Sequence, residues 1–287
     1  MHHRMSILIT GASTGIGQAL ALHFAQQGHE VFAGVRRHLD ADALAAQAQG
    51  FIKPILLDVT QPASVENATA AVQALTHGRL DVLINNAGVA FSGPLEMTPH
   101  QDLARLMDVN VMGTFSVTRA CLPMLRLAHG RIINISSISG LFAAPGLTAY
   151  VASKHAVEGL TAALRMELAP MGVKVCSVAP GKIDTPIWDK ASHTSDKLLD
   201  EHTPELRALY QGLIHFYKRY ALHETGTPLE TVISAVEHAM HSVSPRARYI
   251  VGRQARWRAR LNWLPVHWRE SLVLRAMSRS APKARQN

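Results

Sequence analysis

Short apolar runs alternate with longer amphipathic stretches along this chain. Residues 5–10 (MSILIT), 30–34, 53–58 (KPILLD), 80–84 (LDVLI), 131–136 (RIINIS) and 173–178 (VKVCSV) are apolar and too brief for helices. Residues 16–27, 62–76, 99–108, 112–128 and 148–170 carry apolar side chains at helical spacing. Buried strands alternating with helices are the pattern of βαβ units, whose parallel sheet is covered on both faces. Each helix supplies the crossover that parallel pairing requires. The prediction is an α/β fold, a doubly wound parallel sheet with helices on both faces. Two regions break the rhythm. Residues 185–227 form an insertion of mixed polarity, and residues 253–287 form an extension in which Pro265 divides two predicted helices. The expected organisation is one body, residues 1–252, with a helical C-terminal extension, residues 253–287.

Composition narrows the class. With 287 residues, 47% of them hydrophobic and 17% charged, the chain can bury a full core, which excludes wholesale disorder. No run is long and apolar enough to span a bilayer. Two lone cysteines, Cys121 and Cys176, argue against a disulfide scaffold and for a reducing compartment. No leader is readable in the first ten residues, so a cytoplasmic location is expected. The net charge of +8 is concentrated: residues 245–287 hold 11 of the 29 Lys and Arg but one of the 21 Asp and Glu. A basic tail alone supplies only non-specific contact to nucleic acid, which is not an expected partner. The 16 histidines include no pair with metal-ligand spacing in a credible context, and no metal is expected.

The first strand leads directly into Thr10, Gly11, Ala12, Ser13, Thr14, Gly15, Ile16 and Gly17. A phosphate needs close backbone approach and free N–H donors at a helix N-terminus. Gly11 suits the tight turn, Gly15 the approach to a pyrophosphate, and Gly17 close packing of helix on sheet. Ser13 and Thr14 offer hydroxyl contacts. The sheet is thus expected to be Rossmann-type. The second strand ends in Arg36 and Arg37, with no carboxylate before Asp40. A guanidinium matches a 2′-phosphate, so NADP(H) is expected over NAD.

Tyr150 and Lys154 stand four apart, on one face of a predicted helix. A neighbouring ammonium favours the phenolate, as does an oxidised nicotinamide, and such a phenol exchanges a proton with a carbonyl or alcohol oxygen during hydride transfer. Ser136 and Ser137 follow a buried strand, at the end where ligands bind in parallel sheets; they suit either a substrate oxygen or a turn cap. Asn85, Asn86, Ala87 and Gly88 end the fourth strand, as a ligand contact or as an ordinary turn. Asn110 lies mid-helix, where Asn is unfavourable.

In order and spacing these pieces resemble the short-chain dehydrogenase/reductase family, from residue 5 to about residue 252. The shared motifs are residues 10–17, Asp58 with Val59, residues 85–88, Asn110, Ser137, Tyr150 with Lys154, and Pro180 and Gly181 with Thr185. The resemblance implies catalytic roles for Asn110, Ser137, Tyr150 and Lys154. Tyr150 would be the general acid/base, Lys154 would bind the nicotinamide ribose, Ser137 would orient the substrate oxygen, and Asn110 would hold a relay water. It also implies that Asp58 and Val59 meet the adenine, Asn85, Ala87 and Gly88 the adenine ribose and nearby backbone, and Ile183 and Thr185 the carboxamide. One departure stands out: Thr14 occupies the place where NADP-preferring members often carry Lys or Arg, which leaves discrimination to Arg36 and Arg37. Relatives of this kind pair helices like residues 112–128 and 148–170 across subunits, so a homodimer is expected.

The insertion carries Trp188, Leu198, Leu199, Leu206, Leu209, Tyr210, Leu213, Phe216, Tyr217 and Tyr220. In this family it covers the substrate, and an apolar lining suits a lipophilic carbonyl or alcohol such as a steroid, retinoid or long-chain ketone. Some of these residues serve only to pack the lid. His215 and His223 either line the pocket or face solvent. The extension sets arginines among Trp257, Trp263 and Trp268, a composition that suits an anionic membrane surface or docking on the body or a second subunit. Two other functions are carried forward, a 3-oxoacyl thioester reductase and a non-catalytic NADP-sensing module.

Overall fold

The computed structural model describes residues 4–47, 51–183, 201–223 and 226–280. Strands β1 (Ser6–Ile9), β2 (Glu30–Val35), β3 (Ile52–Leu56), β4 (Val82–Asn85), β5 (Arg131–Ile135), β6 (Lys174–Pro180) and β7 (Arg248–Val251) form one sheet in the order β3-β2-β1-β4-β5-β6-β7. Every pairing is parallel. The helices are α1 (Gly15–Gln26), α2 (His38–Gln47), α3 (Pro62–Leu75), α4 (His100–Met107), α5 (Gly113–Ala128), α6 (Thr148–Glu167), α7 (Pro204–His223), α8 (Leu229–His241), α9 (Arg253–Leu261) and α10 (Val266–Ser280).

Strand periodicity explains the layers. Ile7 and Ile9 face Leu20 and Phe24 of α1, on the side that also holds Val232 and Val236 of α8. Leu8, between them, faces the opposite layer with Val65 and Val72 of α3 and Val117 and Leu125 of α5. Both faces are buried, which is why these strands read as continuous apolar runs. Pro54 is tolerated in β3 because β3 is an edge strand. Chain direction across the sheet reverses between β1 and β4. Such a switch point opens a crevice at the carboxyl ends of the strands.

The extension is helical, as expected, and partly docked. Ala255 of α9 is buried with Ile138 and Phe142. Asn262 Nδ2 donates to the Leu141 carbonyl at 2.7 Å, and Arg269 donates to Asn262 Oδ1 at 2.6 Å. α10 packs against α7. Trp257, Trp263 and Trp268 remain exposed. Among the described residues no helix is long and apolar enough to cross a membrane.

Candidate active site

A cleft of about 610 Å³ lies at the switch point. Its described lining includes Gly11, Ser13, Thr14, Gly15 and Ile16 at one end and Ser137, Tyr150 and Lys154 at the other. Arg36, Arg37, Asp58, Val59, Ala87, Gly88, Pro180, Gly181 and Ile183 also line it. Sequence positions spread over most of the chain therefore converge on one groove. Thr185, Trp188, Leu198 and Leu199 lie outside the described residues, as do the side chains of Tyr220 and His223.

The glycine turn is shaped for a close-lying group. Gly11 and Gly15 have φ of 65° and 60°, a region that L side chains rarely adopt. A Cβ on Gly11 would sit 2.8 Å from Ala87 Cα, and one on Gly17 would overlap Asn86 Nδ2 and the Gly11 carbonyl. Gly17 thus lies behind the turn, holding α1 close to the sheet. Thr10 Oγ1 accepts from the Asn86 and Ala87 amides at 3.0 and 2.9 Å, and Asn86 Nδ2 donates back to the Thr10 and Gly11 carbonyls. This clamp fixes the turn against the end of β4. The bare turn at the start of α1, with a basic pair beyond β2, fits a dinucleotide pyrophosphate. Arg37 is held by Asp40 through paired hydrogen bonds, while Arg36 extends from the same corner.

Asn85 departs from its expected place. It is the last residue of β4, so its side chain alternates into the sheet layer rather than the cleft. There Nδ2 donates to Thr118 Oγ1 and Asn134 Oδ1, both at 2.9 Å. Asn86, one residue on in the same motif, takes the cleft side. Val89, Phe91, Arg105 and Leu106 also line the cleft without having been singled out. Asp58 is oriented by its neighbour, with Oδ1 accepting from the Thr60 amide and hydroxyl at 3.0 and 2.7 Å.

Asn110 lies in a π-helical turn, Asp108–Met112, between α4 and α5. Its amide makes three hydrogen bonds: Oδ1 accepts from the Val89 amide at 2.8 Å, and Nδ2 donates to the Val89 carbonyl at 2.9 Å and to Ser153 Oγ at 3.0 Å. The side chain is therefore engaged in positioning, and its main-chain carbonyl accepts from the Thr114 hydroxyl. The site has a neighbour in Ser153, whose hydroxyl donates to the Tyr150 carbonyl at 2.8 Å.

Tyr150 and Lys154 stand on α6, both about 5% exposed. Lys154 Nζ lies 5.9 Å from the Tyr150 ring centroid and donates to the Ile135 carbonyl at 3.0 Å. Burial opposes the acidification that the ammonium and an oxidised nicotinamide would bring. Burial pushes the Tyr150 phenol up to about 12, although a hydrogen bond with Ser137 pulls it down. Burial also lowers the Lys154 amine to about 8, against the opposing pull of Glu158. In this state the resident form of Tyr150 is the neutral acid. Ser137 Oγ accepts from the Ser139 amide at 3.1 Å, which caps the short turn after β5 and fixes the hydroxyl toward Tyr150.

α7 packs beside the segment that leads into α6. Leu213 and Tyr217 lie within 3.9 Å of where Gly146 would carry a Cβ. Tyr210 Oη donates to Glu96 Oε2 at 2.8 Å, tying the lid to the segment after β4. His215 is exposed and bonded along its own helix to the Gln211 carbonyl, so it faces solvent.

A family model described as short chain dehydrogenase matches residues 5–196. Among curated proteins, mouse retinol dehydrogenase 5 is 35% identical over 280 residues, covering 94% of this chain and 86% of its own length. The 3-amino-tetrahydro-pyrrolizinone reductase of Xenorhabdus hominickii is 36% identical, covering 88% of each. Among solved structures, a short-chain dehydrogenase of Burkholderia cenocepacia J2315 in complex with NADP superposes with a TM-score of 0.74 at 26% identity, over 95% of this chain and 98% of its own.

Proposed function

Because the chain belongs to the short-chain dehydrogenase/reductase family, we propose that it is an NADP(H)-dependent enzyme that interconverts a ketone or aldehyde and an alcohol on a lipophilic substrate. The observation that carries this reading is the convergence of Ser137, Tyr150 and Lys154 on the cleft that begins at the glycine turn. The nicotinamide, when bound, supplies or accepts the hydride. Gly11, Gly15 and Ile16 would hold its pyrophosphate, and Arg36 and Arg37 its 2′-phosphate. Ser137 donates to the substrate carbonyl oxygen and aims it at Tyr150. Tyr150, neutral in its buried setting, gives its proton to that oxygen as negative charge develops there, and takes it back in the oxidative direction. Lys154 holds the ribose and places positive charge near the resulting phenolate.

Phe91, Leu106 and Val109 supply an apolar wall in the cleft. Relatives named as retinol dehydrogenases support a lipophilic alcohol or carbonyl. The 3-oxoacyl thioester alternative needs an open mouth for a carrier, and the long insertion argues against it. Exposed Met112 and Phe115 on and beside α5 offer a face for pairing two copies, in keeping with a homodimer. A panel of lipophilic and water-soluble ketones and alcohols, assayed with NADPH and with NADH, tests the reading. NADPH-dependent turnover of the lipophilic members supports it. Binding of NADPH without turnover of any member would favour a sensor.

A further inference from the structure

The C-terminal helices present a surface that the redox chemistry does not use. Six of the 18 exposed large hydrophobic residues among those described lie within residues 257–274: Trp257, Trp263, Val266, Trp268, Leu272 and Leu274. Trp263 is 89% exposed. Concentrating apolar side chains this way on a water-facing surface marks a contact site. The same segment, residues 253–280, carries seven arginines and one glutamate, Glu270. Burial divides the helices consistently. Ala255 and Ala259 of α9, and Val273 of α10, turn toward the body. Trp268 and Leu272 stand four apart on α10, and the same stripe continues into Arg275.

We propose that α9, α10 and the turn between them form an amphipathic foot that seats on an anionic lipid surface. Indole rings suit the depth of lipid headgroups, with the apolar body toward the acyl chains and the N–H in the wet layer. Arginines beside them reach lipid phosphates with their guanidinium forks, while their stems stay over apolar surface. Charge selects this occupant over a second copy of the chain. A two-fold contact would bring the same arginine-rich face onto itself, and like charges across an interface repel. An anionic bilayer is opposite in sign over the whole area. The foot also packs against α7, which in turn packs beside Gly146 through Leu213 and Tyr217.

Co-sedimentation of the full chain with vesicles tests this, without substrate or coenzyme, so that its outcome is separate from that of the redox reading. One set is phosphatidylcholine alone; the other contains about a third phosphatidylserine. The expected result is binding to the anionic set at least about tenfold tighter, weakened by high salt, with a blue shift of tryptophan emission. Arg260→Gln and Arg275→Gln should each weaken binding about fivefold, the effect of one basic residue near such a surface. Combined Trp257→Ala, Trp263→Ala and Trp268→Ala should abolish it and leave turnover of a water-soluble substrate unchanged. Absence of binding to the anionic vesicles overturns the proposal. So does equal binding to both sets, binding indifferent to these substitutions, or a dimer in sedimentation equilibrium that the tryptophan substitutions break.

Discussion

Replacing Asn110 by alanine should destabilise the protein by about 2–4 kcal/mol and impair turnover more than substrate binding. The magnitude follows from the contacts. The amide makes three hydrogen bonds, two to Val89 and one to Ser153, and is 1% exposed. Each such bond contributes about 0.5–1.5 kcal/mol net, and alanine also strands the partly buried polar groups of Val89. Against a total stability of about 5–15 kcal/mol, the variant stays folded and can be assayed. Functionally, Asn110 is one residue removed from the phenol: its partner Ser153 donates to the Tyr150 carbonyl. Losing the clamp frees the segment after β4 and the first turns of α6 together, so kcat falls while substrate KM changes little. Urea unfolding gives the stability term, and a double-mutant cycle with Ser153→Ala isolates the shared bond, for which a coupling of about 0.5 kcal/mol or more is expected. A loss below about 0.5 kcal/mol with strict additivity to Ser153→Ala would refute the reasoning, because the clamp would then hold nothing.

Two other perturbations bear on the cleft. Asp40→Ala releases Arg37 from its paired hydrogen bonds and removes a carboxylate from the phosphate corner. KM for NADPH should fall severalfold with KM for NADH unchanged, and an equal change in both would show that Arg37 plays no part in the preference. Lys154 has a folded-state pKa of about 8, below the 10.5 of a free lysine, so the unfolded chain binds the extra proton. Its contribution to stability is complete above about pH 10.5 and is lost as pH falls through about 8. In urea unfolding of the coenzyme-free protein, wild type should therefore gain on Lys154→Met between about pH 7 and about pH 10, and a flat difference would contradict the burial of the amine.

The parts of the fold that were legible in the sequence are those with a single physical cause. β1, β4, β5 and β6 are buried on both faces, so apolar runs reveal them directly. β7 escaped notice because it is four residues long, opens with Arg248, and lies in an arginine-rich stretch that reads as tail. α2 was hidden by its composition: alanine, aspartate and glutamine around one buried side chain, Leu44. α8 has a clear apolar stripe but begins just after the insertion, whose mixed polarity blurred the boundary. At the site, the glycine turn and the pair on α6 were readable because their chemistry is local. Asn85 and Asn86 were not separable by composition; strand alternation decides between them, and the side chain that clamps the turn is the one just past the strand. Asn110 was rightly marked as anomalous in a helix, but its partners lie 21 and 43 positions away, beyond any local pattern. The opposing effect of burial on Tyr150 was not legible for a similar reason: proximity to an amine is visible in sequence, whereas depth of burial is not.

The most direct test of the central claim is a single-turnover measurement of NADPH oxidation by wild type and Tyr150→Phe, with NADPH affinity measured in parallel by fluorescence. Removing the proton donor while keeping the ring should slow the chemical step by about 10²–10⁴-fold and leave coenzyme affinity within about threefold. A variant that turns over within about tenfold of wild type would mean that the substrate oxygen takes its proton from elsewhere.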